Sequence, residues 1–158
     1  MMNRIWNVQT KLLDVIAQQE NHEAERDYPL HWERLHLASC AQIGQWLAVK
    51  RGVNQEMAAL ACSLHDFGRI VTGKQKNHAE NGYEPVKIFL LQQDCFSSEE
   101  CEQLALAVKH HSNKDIVGTP LEEIVKDADV LDCFQYGQEL TRPEQRERLE
   151  KVRTELGL

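Results

Sequence analysis

No excess of positive charge runs along this 158-residue chain: 18 Lys and Arg stand against 25 Asp and Glu, a formal net charge of −7. That disfavours a broad nucleic-acid surface, whose phosphate contacts need clustered cations. A few cations in a pocket would still suffice for a small anionic substrate. No run of about 18 apolar residues occurs, so no membrane span is expected. No C-x-x-C pair occurs among the five cysteines, Cys40, Cys62, Cys95, Cys101 and Cys133, and their number is odd. With no secretory signal at the N-terminus, they read as reduced thiols of a cytoplasmic protein. The start, MMNRIWNVQTKLLDVIAQQ, lacks the Arg- and Ser-rich character of a transit peptide. Strand alternation longer than a few residues is also missing, as are internal repeats and linkers.

What is present is helical periodicity nearly throughout. Ile5, Val8, Leu12, Leu13, Val15 and Ile16 recur at helical spacing within an N-terminal helix over 3–20. A polar stretch, ENHEAERDYP, follows, and Pro29 opens a long second helix that Gly52 closes. Asn54 caps a third, QEMAALACSLHD. FGRIVTGKQKN reads as a loop. A fourth helix runs from near His78 to about Gln93, with Gly82 and Pro85 expected to weaken or kink its first turns. Ser97 with Glu100, and Thr119 with Glu122 and Pro120, are capping boxes that start two more helices. The last helix, 143–156, is mostly charged and expected on the surface. These signals predict one all-α domain over 1–158, a bundle of six to seven helices with its core at about 30–137. The apolar face that begins with Ile5 and Trp6 is left either to its own domain or to a second copy in a homodimer.

Three of these helices place an ionisable residue on an apolar face. His36 shares a face with Trp32, Cys40, Ile43 and Leu47, whereas His31 lies on a more polar one. His111 lies with Leu104, Ala107 and Val108, and His110 on the flank. Asp129 lies with Leu121, Val125 and Cys133. A buried carboxylate must be paired, hydrogen-bonded or bound to a metal. Histidines on facing helices can meet that need by sharing a cation. Each residue alone has a plainer account. His36 can bond a backbone carbonyl, Asp129 can pair with Lys or Arg, His110-His111 can be a solvated helix end, and His65-Asp66 a cap.

The order His36, then His65-Asp66, then Asp129 in VKDADVLD resembles the HD-domain superfamily of metal-dependent phosphohydrolases. The likeness covers roughly residues 30–137. ALACSLHDFGRI is similar to the family's apolar helix followed by HD, a small residue and a basic one, here Arg69. In VKDADVLD the family's ligand is the Asp after Ala, which prefers Asp129 over Asp127. HAENG, residues 78–82, is similar to the H-A-x-x-G element of binuclear HD proteins, and AVKHHSNK, residues 107–114, to their next His motif. Both elements occur in HD-GYP cyclic-dinucleotide phosphodiesterases and in the symmetrical diadenosine tetraphosphate hydrolases, which are the closer likeness. The chain departs from the former in lacking GYP after His111. It departs from the latter at Ser112, where Thr is usual, and after Asp129.

The resemblance implies a single HD-domain bundle binding divalent transition metals, two of them, from Fe, Mn, Co, Ni or Zn. It implies His36, His65, Asp66 and Asp129 on one ion, and His78 and His111, with or without His110, on the other. Asp66 bridges them, and Gly68 lets the chain turn away. The reaction implied is hydrolysis of a nucleotide or other small phosphate ester or anhydride by a metal-activated water. Asp66 and Arg69 would be catalytic, and Arg69, Lys74, Lys76 and Lys114 would hold phosphates. The other readings are a mononuclear HD 5′-nucleotidase and a non-catalytic nucleotide- or metal-sensing module.

Overall fold

The computed structural model describes residues 3–158, and all of its regular elements are helical. The helices are α1 (Arg4–Ala17), α2 (Leu30–Arg51), α3 (Gln55–Leu64), α4 (Phe67–Thr72), α5 (His78–Leu91), α6 (Ser98–His110), α7 (Pro120–Gln135) and α8 (Pro143–Leu156), with a 3-10 turn at Glu20–Glu25. The capping signals act as expected. Asn54 accepts from Met57 N, Gly52 closes α2 in the left-handed region at φ 66°, and both capping boxes close in full. The tally exceeds the expected six to seven because FGRIVT, read as a loop, is the helix α4. Six residues are too few to show a helical period, and its terminator Gly73, at φ 73°, lies where only the structure makes it a C-cap.

α2 is the central rod, packed mainly on α3 and α7, and α5 packs on α4 and α6. One contiguous apolar core runs from Val8, Leu12 and Ile16 of α1 through Leu47, Leu60, Leu90 and Leu104 to Val130 of α7. Trp6, which the sequence left to either partner, is mostly exposed. α8 is charged and largely exposed as expected, but Leu149 and Val152 are buried, and Arg51 clamps it through Glu155 at 2.6 Å. Among the described residues no helix is long and apolar enough to cross a membrane.

Two expectations need correction, and both corrections position the site. α5 runs unbroken across Gly82 and Pro85. Pro85 removes the N–H that would bond the Asn81 carbonyl, but Asn81 is exposed, so water can take that place. Gly68 is not the turn. It lies inside α4, where a Cβ would stand 2.0 Å from the His78 carbonyl oxygen and 2.7 Å from Gly82 N. A Cβ on Gly82 in turn would meet Val108 at 2.8 Å. The glycines of HDFG and HAENG therefore let α4, α5 and α6 approach closely enough to bring His78 beside the doublet. The turn itself falls on the doublet. His65 ends α3, Asp66 opens α4, and the Asp66 carbonyl accepts from Ile70 N at 2.9 Å.

Candidate metal centre

Four histidines from four parts of the chain converge in the interior: His36 of α2, His65 after α3, His78 opening α5 and His111 after α6. Each is buried. Each is oriented by a bond at Nδ1. His65 donates to the Cys62 carbonyl at 2.6 Å, His78 to Gln75 O at 2.7 Å and His111 to Val108 O at 2.6 Å. His36 donates to the Asp132 carboxylate at 2.5 Å. A carbonyl oxygen only accepts, so Nδ1 carries a proton, and in the neutral ring Nε2 presents its lone pair inward. The inward nitrogens meet in two pairs: His36 with His65 at 3.0 Å, and His78 with His111 at 2.9 Å. Two lone pairs at such distances repel unless a cation shares them. The donor chemistry thus fits a metal centre, in which outward bonds to oxygen fix ligating imidazoles.

Asp66 divides its oxygens between the pairs. Oδ2 lies 3.4 Å from His36 Nε2 and 3.1 Å from His65 Nε2, whereas Oδ1 lies 3.1 Å from His78 Nε2 and 3.6 Å from His111 Nε2. Asp129 Oδ1 joins the first pair, at 3.2 Å from His36 and 3.5 Å from His65. Its Oδ2 accepts from Lys114 Nζ at 2.6 Å. Two donor sets result, one of two histidines and two carboxylates and one of two histidines and the shared carboxylate; Asp129 also groups with Cys133 on the first side and with His111 across the two.

The electrostatics favour positive charge in the first set. Burial works against the charged forms of His36 and His65, but their carboxylate partners outweigh it, and both titrate above the usual histidine range. Burial also opposes ionised Asp66 and Asp129. Arg69 beside the first and Lys114 beside the second nevertheless hold them well below the ordinary carboxylate range. His111, pushed down to about 3 chiefly by burial, stays neutral, as a ligand must.

Arg69 turns inward rather than toward solvent. Its Nε and Nη2 donate to Glu33 at 2.8 and 3.0 Å, Nη2 also to Asp66, and Nη1 to Gln75 at 2.8 Å. The ring of Tyr28 covers its guanidinium at 4.5 Å. Expected to hold phosphate, it instead spends two donors on Glu33, one on Gln75 and one on Asp66. Lys114 is buried in the cavity wall. Lys74 and Lys76 are exposed and do not line the cavity, and Lys74 Nζ donates to the Glu25 carbonyl at 2.7 Å. His110 also departs from the expectation. It pairs with Glu122 at 3.1 Å and belongs to no metal-ligand grouping among the described residues. Successive helical residues point about 100° apart, so His110 and His111 cannot both face one cavity. Asp127 likewise faces away, to Arg51 at 2.7 Å and Arg148 at 3.0 Å.

Sequence reasoning missed Glu33, Asp132 and Arg26. Glu33 and Asp132 each lie one helical turn from a residue it did single out, His36 and Asp129, so a search for i±3 polar neighbours on a ligand face would have found them. Arg26 donates to Glu33 at 3.3 Å and to the Ile70 and Arg69 carbonyls. It sits in a stretch read only as polar, and nothing local marks it.

Residues 35–133, more than half of the chain, match the family model described as HD domain. The chain belongs to the HD-domain family. HD domains bind divalent metals, and the His and Asp groupings just described are where this one can hold them. A solved structure described as a predicted HD superfamily hydrolase, from an uncultured Thermotogales bacterium, is similar over 94% of this chain and 86% of its own. Its TM-score is 0.61 and its identity 19%, a likeness of fold. No curated protein matches the chain significantly.

The HD-domain site opens into a cavity of about 100 Å³, walled by Trp32, which stacks on His36 at 4.6 Å, by Lys114 and Ser112, and by residues 138–145. Beside it runs a wider polar groove of about 520 Å³ that shares Tyr28, Gln75, His78 and Arg142.

Proposed function

We propose that this HD domain hydrolyses a phosphoester or phosphoanhydride bond of a nucleotide or other small phosphate, using two divalent transition metal ions. The observation that carries this reading is the division of Asp66 between two histidine pairs whose lone pairs face each other at 3.0 and 2.9 Å. His36, His65, Asp66 and Asp129 would hold one ion, and Asp66, His78 and His111 the other. Imidazole with carboxylate suits Fe, Mn, Co, Ni or Zn. Bound there, the ions supply Lewis acidity and a water acidified enough to act near neutral pH.

The chain's own residues prepare the site. Asp132 and the three backbone carbonyls hold the Nδ1 protons and aim every Nε2 inward. Arg69 fixes Asp66 so that each oxygen meets its own pair. Lys114 spends two of its three donors on His111 O and Asp129, leaving one for a phosphoryl oxygen. The small cavity suits the reacting phosphoryl group, and the groove, within the usual range of about 300–1,000 Å³ for ligand sites, suits the remainder of a nucleotide. The H-A-x-x-G likeness to the symmetrical diadenosine tetraphosphate hydrolases supports the second ion and puts dinucleoside polyphosphates high among substrates to try.

The test is product formation, read by chromatography, by protein reloaded in turn with each of the five metals, over a panel of monoesters, diesters and anhydrides. Turnover of at least one substrate, abolished by chelation and restored by metal, is expected. Tight nucleotide binding with no turnover of any would make the domain a sensor instead.

A further inference from the structure

The wall of the cavity farthest along the chain comes from outside the family match, which ends at residue 133. Gln138, Glu139, Leu140, Arg142 and Gln145 line the cavity on this side. This segment is tied to the site. Gln138 N donates to Cys133 O at 2.9 Å, and Arg146 pins the Leu140 and Thr141 carbonyls at 2.8 and 3.1 Å. Arg142 Nη1 donates to the carbonyl of Ser112, next to His111, at 3.1 Å.

The cations around the site divide by how much of their hydrogen-bonding capacity is spent. Arg69 and Lys114 are buried and spend all but one donor each on protein oxygens. Lys109, in the groove, pairs with Glu80 at 3.2 Å. Arg142 is different. Among the described residues only its Nη1 has partners, Ser112 O and, at 3.4 Å, the carboxylate of Glu144. Nε and Nη2 have none, and they form the edge that grips an anion through two parallel bonds. Arg142 lines both the small cavity and the groove, so it stands at their junction. A substrate whose reacting phosphoryl group sits at the histidines and whose remainder lies in the groove must pass it.

We propose that Arg142 binds a second phosphoryl group of the substrate, the one that is not attacked, so that the site favours compounds carrying two or more adjacent phosphoryl groups over simple monoesters. This rests on the phosphohydrolase reading above. It also explains why the family match alone would not define the substrate, since the selecting residue lies beyond it.

The experiment measures binding of inorganic phosphate and of methylenediphosphonate, a non-hydrolysable probe with two phosphoryl groups. Metal-loaded wild type, Arg142→Gln and Arg142→Lys are compared by calorimetry, with metal content checked after each titration. Arg142→Gln is expected to weaken the diphosphonate roughly 10- to 100-fold, the worth of charged hydrogen bonds, and phosphate less than about 3-fold on the same basis. Arg142→Lys, which keeps the charge and loses the fork, should fall between. Equal losses for both probes would place Arg142 on the reacting group and overturn the proposal, as would no loss for either. Wild type that binds neither probe would overturn the phosphohydrolase reading along with it. Wild type that binds both, with Arg142→Gln unchanged, overturns this inference alone.

Discussion

Asp66→Asn is expected to strip both ions from the site. Among the described residues Asp66 is the one side chain whose two oxygens meet both histidine pairs, at 3.1 Å from His65 on one side and 3.1 Å from His78 on the other. Without its charge the first set keeps two histidines and Asp129, and the second keeps only His78 and His111. Loss of a residue that merely orients a ligand costs roughly 10–100-fold in metal affinity. Loss of a ligand common to both ions should exceed that at each. Turnover should fall with it, by more than roughly 1,000-fold, since the metal supplies the acidified water. Elemental analysis after dialysis against a weak chelator reads the metal directly, and circular dichroism separates metal loss from unfolding. Full metal content in a folded Asp66→Asn protein would refute the shared-carboxylate geometry.

Glu33→Gln is expected to act through Arg69. Glu33, Arg69, Arg26 and Asp66 form a buried chain of alternating charge, with the Glu33 carboxylate receiving Arg69 twice and Arg26 once. Gln keeps the shape and one acceptor but leaves two buried guanidinium groups with one carboxylate between them. Breaking a buried pair in this way costs about 3–5 kcal/mol, read as a lower denaturation midpoint of the metal-free protein. It should also free Arg69 to shift and carry Asp66 with it, weakening metal binding roughly 10-fold. A variant that loses stability but binds metal as tightly as wild type would show that Glu33 serves only the fold.

The elements easiest to read in the sequence were those with local chemistry at their ends. α6 and α7 begin in reciprocal capping boxes, and α2 ends in a glycine that only the left-handed region requires. α4 was unreadable because one and a half turns leave no period. The glycines of HDFG and HAENG looked like a hinge and a weakness. Their role is a close crossing of α4 and α5, in which the backbone of one meets the backbone of the next across the loop between them. His36 was legible because a lone histidine interrupts an apolar face, and Asp129 for the same reason. Asp132, which fixes the His36 tautomer from 96 positions away, was not. Polarity on one helix says nothing about which helix will face it. The likeness in motif order gathered the four histidines that meet in the interior and also drew in His110, which pairs with Glu122. Lys74 and Lys76 follow the doublet closely in sequence, yet the chain carries them out to the surface. The division of Asp66 between two pairs appears only once four segments are folded together.

The central claim is that one carboxylate serves two donor sets, and the most direct measurement is metal content per chain, by elemental mass spectrometry, of gently purified wild type and His78→Ala. His78 touches only the second set, so the account predicts about two ions per chain in wild type and about one in the variant, the first set being left intact. About one ion in both proteins would contradict it, leaving His78 and His111 as structural histidines beside a mononuclear site.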